Sequence, residues 1–223
     1  MNLDHLALRE EIIATCLRLE QLGYVLGTYG NVSARIEDGL LITPSRLDYH
    51  LIQPEDIVPV SLTGKVLGGE RLPSSELQVH LQIYLQRPGV GAVVHTHSLH
   101  ATALSCCQIS VPVLVEEQSQ VIGGEIRCTR YVPAGQHKQL GEAVARTIGD
   151  SMAVLVANHG VVCCGRNLAE AVFTNQIVER VAHMYLMTHA VWSPVPIPKP
   201  YVVSERERWL YKYGQPEDKA AEP

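Results

Sequence analysis

Two stretches of this chain share one plan, and they restrict the fold more than any others. Ala92-Val93-Val94-His95-Thr96-His97 is an uncharged, valine-rich run that ends in two histidines. Ala153-Val154-Leu155-Val156-Ala157-Asn158-His159-Gly160 is a second such run, ending in one histidine. Short apolar runs rich in β-branched residues read as buried strands. Residues i and i+2 of a strand project to the same face, so His95 and His97 point together. If both strands finish at one edge of one sheet, the imidazoles of His95, His97 and His159 can meet. A catalytic zinc takes three protein ligands and keeps one position open. Such a triad suits Zn2+, with Mn2+ or Co2+ as alternatives, because imidazole does not choose sharply among them. Ten histidines in 223 residues make a chance His-x-His easy to meet, so the likeness of the two strand ends carries the reading.

Composition narrows the class. Apolar residues make up 46% and charged residues 18%, ordinary for a globular domain. At this length folding buries roughly 70% of the unfolded chain's surface. A net charge of -5 gives no electrostatic reason to expect nucleic acid. No continuous apolar run reaches the ~20 residues that span a bilayer, so no membrane association is expected. Met1-Asn2-Leu3-Asp4-His5 lacks a basic segment followed by an apolar block, and the expected location is the cytoplasm. The six cysteines include the adjacent pairs Cys106-Cys107 and Cys163-Cys164 but no Cys-x-x-Cys; in apolar surroundings they read as buried free thiols.

In order, helical spacing of Leu8, Ile12, Cys16 and Leu19 predicts a helix over 4–22. Strands are expected at 31–36 and 40–43 around Asp38-Gly39, and a hairpin at 58–61 and 65–67. A helix over 75–86 precedes the first histidine strand, and another follows His97 through Cys106. Then come strands at 111–115 and 126–129, a helix over 138–148, strands at 154–159 and 161–164, and a long helix over 167–187. Pro194, Pro196, Pro198 and Pro200 space out an extended linker near 193–200. An amphipathic tail helix over 204–213 and a polar end, 215–223, complete the chain. No repeat or boundary divides it, so residues 1–223 read as a single domain.

Three polar stretches have the composition of anion sites. Gly27-Thr28-Tyr29-Gly30-Asn31-Val32-Ser33 can expose turn N–H groups to an anion, or simply open a hairpin. Thr43-Pro44-Ser45-Arg46 offers hydroxyls and a guanidinium fork, or is a polar turn. Ser74-Ser75-Glu76 caps a helix, whose unpaired N–H groups and positive dipole end attract anions, or does nothing more than cap it. Glu76 also stands about twenty residues before His95, so the chain can return it to the histidines. A carboxylate beside an open metal position is the usual general acid or base. His80, one turn after Glu76, reads as packing or as support for the site.

Taken in order, Gly30-Asn31-Val32-Ser33, Thr43-Pro44-Ser45, Ser74-Ser75-Glu76 with His80, His95-x-His97 and Asn158-His159-Gly160 resemble the class II aldolase/adducin family, of the fuculose-phosphate aldolase type, over nearly the whole chain. The resemblance implies an α/β fold: an α/β/α sandwich around a mainly antiparallel sheet. It implies a homotetramer with active sites between neighbouring subunits. It implies that His95, His97 and His159 hold Zn2+, with Glu76 as a metal-side carboxylate and proton-transfer group. Gly30, Asn31, Thr43, Ser45, Arg46, Ser74 and Ser75 form the expected binding site for a sugar phosphate. Tyr213 matches a C-terminal tyrosine that the aldolases bring over the site. The reaction implied is cleavage of a ketose 1-phosphate to dihydroxyacetone phosphate and an aldehyde through a metal-stabilised enediolate.

The chain departs from the family at two places. Arg46 stands where the family commonly has glycine. Glu116 stands where the fuculose-phosphate enzyme uses a tyrosine from a neighbouring subunit, which points away from L-fuculose 1-phosphate itself. A carboxylate replaces a phenol as a weak acid near neutral pH only if burial raises its pKa. These residues keep open decarboxylation of a sugar-acid phosphate or dehydration of a sugar phosphate on the same platform. Pentose-phosphate epimerases of the family typically have Asp at the Glu76 position. A non-catalytic, adducin-like interaction module would not need the histidine triad.

Overall fold

The computed structural model describes residues 4–214, so the polar end expected at 215–223 lies outside the described residues. One seven-stranded sheet runs through the molecule in the order β3-β2-β1-β4-β7-β6-β5. Its strands are β1 (Asn31–Ile36), β2 (Gly39–Ile42), β3 (Val58–Ser61), β4 (Ala92–Thr96), β5 (Arg127–Cys128), β6 (Ala153–Val156) and β7 (Gly160–Gly165). Every neighbouring pair is antiparallel except β5 with β6. The helices are α1 (Leu6–Gln21), α2 (Leu77–Gln86), α3 (Leu99–Cys107), α4 (His137–Ile148), α5 (Leu168–Val191) and α6 (Lys199–Tyr211).

Strand alternation sorts the core into two layers. Val94, Leu155 and Cys163 join Ile12 and Leu19 of α1 and Ala171 and Val178 of α5 on one side. Val93, Val154, Val162 and Cys164 join Val79 and Ile83 of α2 and Val144 and Ile148 of α4 on the other. With both faces covered, the central strands need no polar face, and β4, β6 and β7 therefore read as unbroken apolar runs. The expected α/β/α sandwich with a mainly antiparallel sheet is the observed one. Helices α2 and α4 touch closely at Gly141, where an added Cβ would lie 2.5 Å from the Gln78 carbonyl oxygen; only glycine lets α2 sit there.

The structure revises several expected elements. Residues 111–115 form no strand; Val111 alone bridges Ile126. Pro112 has no N–H to give a ladder, and the buried Gln118 side chain satisfies this segment instead. Its Oε1 accepts from Leu114 N at 3.0 Å, and its Nε2 donates to the Pro112 oxygen at 3.1 Å. Residues 65–67 return along β3 but make a single bridge, Val60 with Val66. Pro200 sits in the first turn of α6, where a missing N–H costs nothing, so that helix starts at Lys199 inside the expected linker. Cys106 and Cys107 are exposed in the last turn of α3, whereas Cys163 and Cys164 are buried on opposite sheet faces. Among the described residues, no helix is long and apolar enough to cross a membrane.

Candidate metal centre and active site

The three histidines meet at one edge of the sheet. His95 lies on β4 between two partners, Asn31 of β1 and Val162 of β7. Thr96 points the other way and donates its hydroxyl to Asn175 Oδ1 of α5 at 2.7 Å, so His97, just past the strand, returns to the face of His95. The His97 N–H donates to the Tyr24 oxygen at 3.0 Å.

His159 arrives by a different route. Strand β6 ends at Val156, not at the histidine as the sequence pattern predicted, and β7 begins at Gly160. Residues 157–159 form the turn between them, with Asn158 at φ 55°. Asparagine tolerates that left-handed region better than most residues. The Asn158 N–H donates to the Ser105 oxygen at 3.1 Å, and its Oδ1 accepts from Gln108 Nε2 at 2.8 Å. An added Cβ at Gly160 would lie 2.4 Å from the Thr96 oxygen and 2.8 Å from His97 Cδ2. Glycine is what lets the turn close onto the other two histidines.

The ring centroids of His95, His97 and His159 stand 4.8 to 5.0 Å apart, edge to face. Their ligand atoms all lie within 4.8 Å of one another. His95 Nδ1–H donates to the Val161 oxygen at 2.9 Å, which leaves the Nε2 lone pair for a cation. Burial, with His95 and His159 alongside, lowers the His97 pKa to about 3. Burial and His95 lower that of His159 as well. Three imidazoles brought this close fit a divalent metal ion.

Glu76 completes the group. It immediately precedes α2, and its N–H donates to Ser74 Oγ at 3.2 Å. Its carboxylate lies 3.1 Å from His95 Nε2 and 3.2 Å from His159 Nε2, and it accepts from Asn31 Nδ2 at 2.8 Å. Burial alone would raise its pKa; His95, His159 and the Asn31 donor outweigh this and hold it at about 2. It is a carboxylate at neutral pH.

A cavity of about 430 Å3 opens beside this group. Gly30, Asn31, Ser45, Arg46, Ser74, Ser75, Glu76, His97 and His159 all contribute to its lining, as do Thr28 and Tyr29 of the same candidate anion turn, which were not expected as site residues themselves. The two serine segments come together because Ser45 N–H donates to the Leu72 oxygen and Ser74 N–H to the Thr43 oxygen, each at 3.0 Å. Arg46 sits at φ 57°, a conformation glycine adopts freely, which accounts for the glycine expected there. Thr43 is buried behind the cavity, its hydroxyl accepting from Val32 N at 3.2 Å. Glu116 is exposed and Tyr213 packs its ring 5.2 Å from that of Trp209; neither lines the cavity. A second cavity, about 280 Å3, shares Ser75, Glu76 and His159 and continues past Tyr131, Leu140 and Val156. A larger hollow of about 850 Å3, lined by Asp4, Arg9, Asp56 and Arg71 among others, has no triad histidine in its lining.

Glu179 also escaped the sequence reading. From α5 its carboxylate accepts from the His100 N–H at 2.9 Å and the Ala101 N–H at 3.0 Å. It thereby caps α3 and fixes the chain just after His97.

A mainly antiparallel sheet covered by helices on both faces, with three histidines and a carboxylate at one edge, defines a class. Residues 10–186 match the family described as Class II Aldolase and Adducin N-terminal domain, and the chain belongs to that family. It is 42% identical over 190 residues to an L-fuculose phosphate aldolase of Haemophilus influenzae, covering 85% of this chain and 87% of that protein. It is 36% identical over 222 residues to a 5-methylthioribulose-1-phosphate/5-deoxyribulose-1-phosphate aldolase of Rhodospirillum rubrum, covering 99% and 97%. A solved L-fuculose 1-phosphate aldolase superimposes with a TM-score of 0.89 at 31% identity, covering 95% of this chain and 99% of that one. The relatives are named aldolases, that is, carbon–carbon lyases of the class II type, and this chain is an enzyme of that kind.

Proposed function

We propose that the protein is a zinc-dependent aldolase that cleaves a ketose 1-phosphate into dihydroxyacetone phosphate and an aldehyde. One observation carries this reading. The Glu76 carboxylate lies within 3.2 Å of His95 and His159 and also lines a cavity edged by Asn31, Ser45, Ser74 and Ser75. The names of the two relatives, both aldolases of phosphorylated sugars, support the substrate class.

His95, His97 and His159 would hold the ion, which when bound supplies Lewis-acid stabilisation of negative charge on substrate oxygens. Asn31, Ser45, Ser74 and Ser75 bind the phosphate, and the guanidinium of Arg46 adds a positive charge beside it. Loss of the C4 hydroxyl proton and rupture of the C3–C4 bond release the aldehyde and leave an electron pair at C3. Glu76 carries the proton that ends on C3, giving dihydroxyacetone phosphate. Tyr213 and Glu116 close the site from neighbouring copies in a homotetramer, a role supported by their exposure on their own chain. A cytoplasmic setting belongs to the same proposal, and the free, buried Cys16, Cys163 and Cys164 suit a reducing compartment.

Arg46 in the cavity lining also favours a second reading, decarboxylation of a sugar-acid phosphate, since a guanidinium pairs well with a carboxylate. The test is to incubate the Zn2+-loaded protein with ketose 1-phosphates and sugar-acid phosphates and to follow aldehyde, dihydroxyacetone phosphate and CO2. Aldehyde with the triose phosphate is the expected outcome. CO2 without aldehyde would replace the first reading by the second.

A further inference from the structure

A line of buried polar side chains runs through the largely apolar layer between the sheet and α2. Tyr84, Ser33, His80 and Asn31 are at most 5% exposed, and burying such groups is costly unless each finds a partner. Each does. Tyr84 Oη lies 2.8 Å from Ser33 Oγ, and Ser33 Oγ 2.6 Å from His80 Nδ1. His80 Nε2 lies 2.5 Å from Asn31 Oδ1, and Asn31 Nδ2 2.8 Å from Glu76 Oε2. The geometry comes from two interlocking periods. Glu76, His80 and Tyr84 are four residues apart at the start of α2 and along it, and Asn31 and Ser33 are two apart on β1. The chain of bonds zigzags between helix and strand at every step.

Its direction is fixed from one end. A carboxylate only accepts, so Asn31 must turn its NH2 toward Glu76 and its oxygen toward His80. That oxygen also only accepts, so the proton of a neutral His80 sits on Nε2. His80 Nδ1 then accepts from the Ser33 hydroxyl, and the Ser33 oxygen accepts from Tyr84. Burial raises the Tyr84 pKa, which keeps this last donor protonated.

We propose that Tyr84, Ser33 and His80 form a positioning relay for Glu76, in which the His80 Nε2–H fixes the Asn31 amide so that its NH2 holds the carboxylate in place. The inference rests on the reading of Glu76 as the proton-transfer group. An apolar core at these positions would avoid the cost of desolvating polar groups. It would also leave the Asn31 amide able to rotate by half a turn and set its oxygen against the carboxylate. His80 is a positioning residue; it is not itself in the cavity lining or the histidine triad, and it reaches the cavity only through Asn31.

Three variants of the Zn2+-loaded protein, with NMR of the wild type, test the relay. His80→Leu removes both links and should lower kcat about 10–100-fold, the range for loss of a supporting hydrogen bond around a metal site, with metal content and KM close to wild type. His80→Gln can donate to Asn31 and accept from Ser33, and should recover most of the lost kcat. Tyr84→Phe removes only the farthest link and should cost a few-fold at most. Wild-type kcat in His80→Leu, or equal loss in the folded Leu and Gln variants, overturns the relay. The 15N signals of wild-type His80 provide a readout independent of turnover and of how the variants fold. The neutral Nε2–H tautomer is expected near pH 7; an Nδ1–H tautomer or a charged ring overturns the relay. A wild type that shows the expected tautomer but cleaves no ketose phosphate counts against the proposed reaction and not against the hydrogen-bond chain.

Discussion

His95 and His159 end two runs that look alike in sequence, yet the molecule holds them by different means. His95 is clamped between β1 and β7, and its side chain is 2% exposed; that of His159 is 30% exposed, in a three-residue turn. The strand fixes one histidine by regular pairing. The turn fixes the other by a left-handed Asn158 and by a contact at Gly160 that leaves no room for a methyl group. The proposed metal site therefore has one ligand whose loss damages the core and one whose loss is felt mainly at the metal.

The largest effects break both sides of that comparison at once. His95→Ala and His159→Ala should each abolish bound metal and turnover, measured by metal analysis and a coupled assay. Only His95→Ala should also weaken the metal-free protein, by about 1–3 kcal/mol in denaturant unfolding, with His159→Ala staying within about 0.5 kcal/mol. Glu76→Gln should keep its metal and lose about 10²–10⁴-fold in kcat.

Smaller effects separate strand from turn. Gly160→Ala should cost about 1–3 kcal/mol through overpacking against Thr96 and His97, and should lower metal affinity with it. Asn158→Val should cost about 1–2 kcal/mol from the left-handed backbone, whereas Asn158→Gly should be tolerated; thermal unfolding of the two variants checks this. The mildest effect at neutral pH is electrostatic. Burial, with His95 nearby, lowers the His80 pKa from 6.5 to about 3. Between those values the unfolded chain binds a proton that the folded chain refuses. Metal-free stability should therefore fall as pH drops from about 6.5 toward 3, by up to about 1.4 kcal/mol per pH unit for this group. His80→Gln should flatten that slope in pH-dependent unfolding.

Regular periodicity made most of the architecture legible. The apolar stripe of α1 and the uncharged runs of β4, β6 and β7 announce their elements because local pattern and burial agree. The histidines and Glu76 were legible from their places at element ends. What the sequence hid depends on long-range side-chain bonding. Residues 111–115 look like a strand, but Gln118 takes over their backbone groups. The cap on α3 comes from Glu179, 78 positions from Ala101, and no local spacing signals such a partner. The exposure of Cys106 and Cys107 follows from where α3 ends, not from the apolar residues around them in sequence.

The central claim is that Glu76, held against the histidine group, moves a proton at the carbon next to the substrate carbonyl. Hydrogen exchange at C3 of dihydroxyacetone phosphate in D2O, followed by NMR with the Zn2+-loaded protein and no aldehyde present, isolates that step. The wild type should exchange one of the two C3 hydrogens, and metal-loaded Glu76→Gln should exchange neither at a comparable rate. Exchange at the wild-type rate in Glu76→Gln would contradict the account.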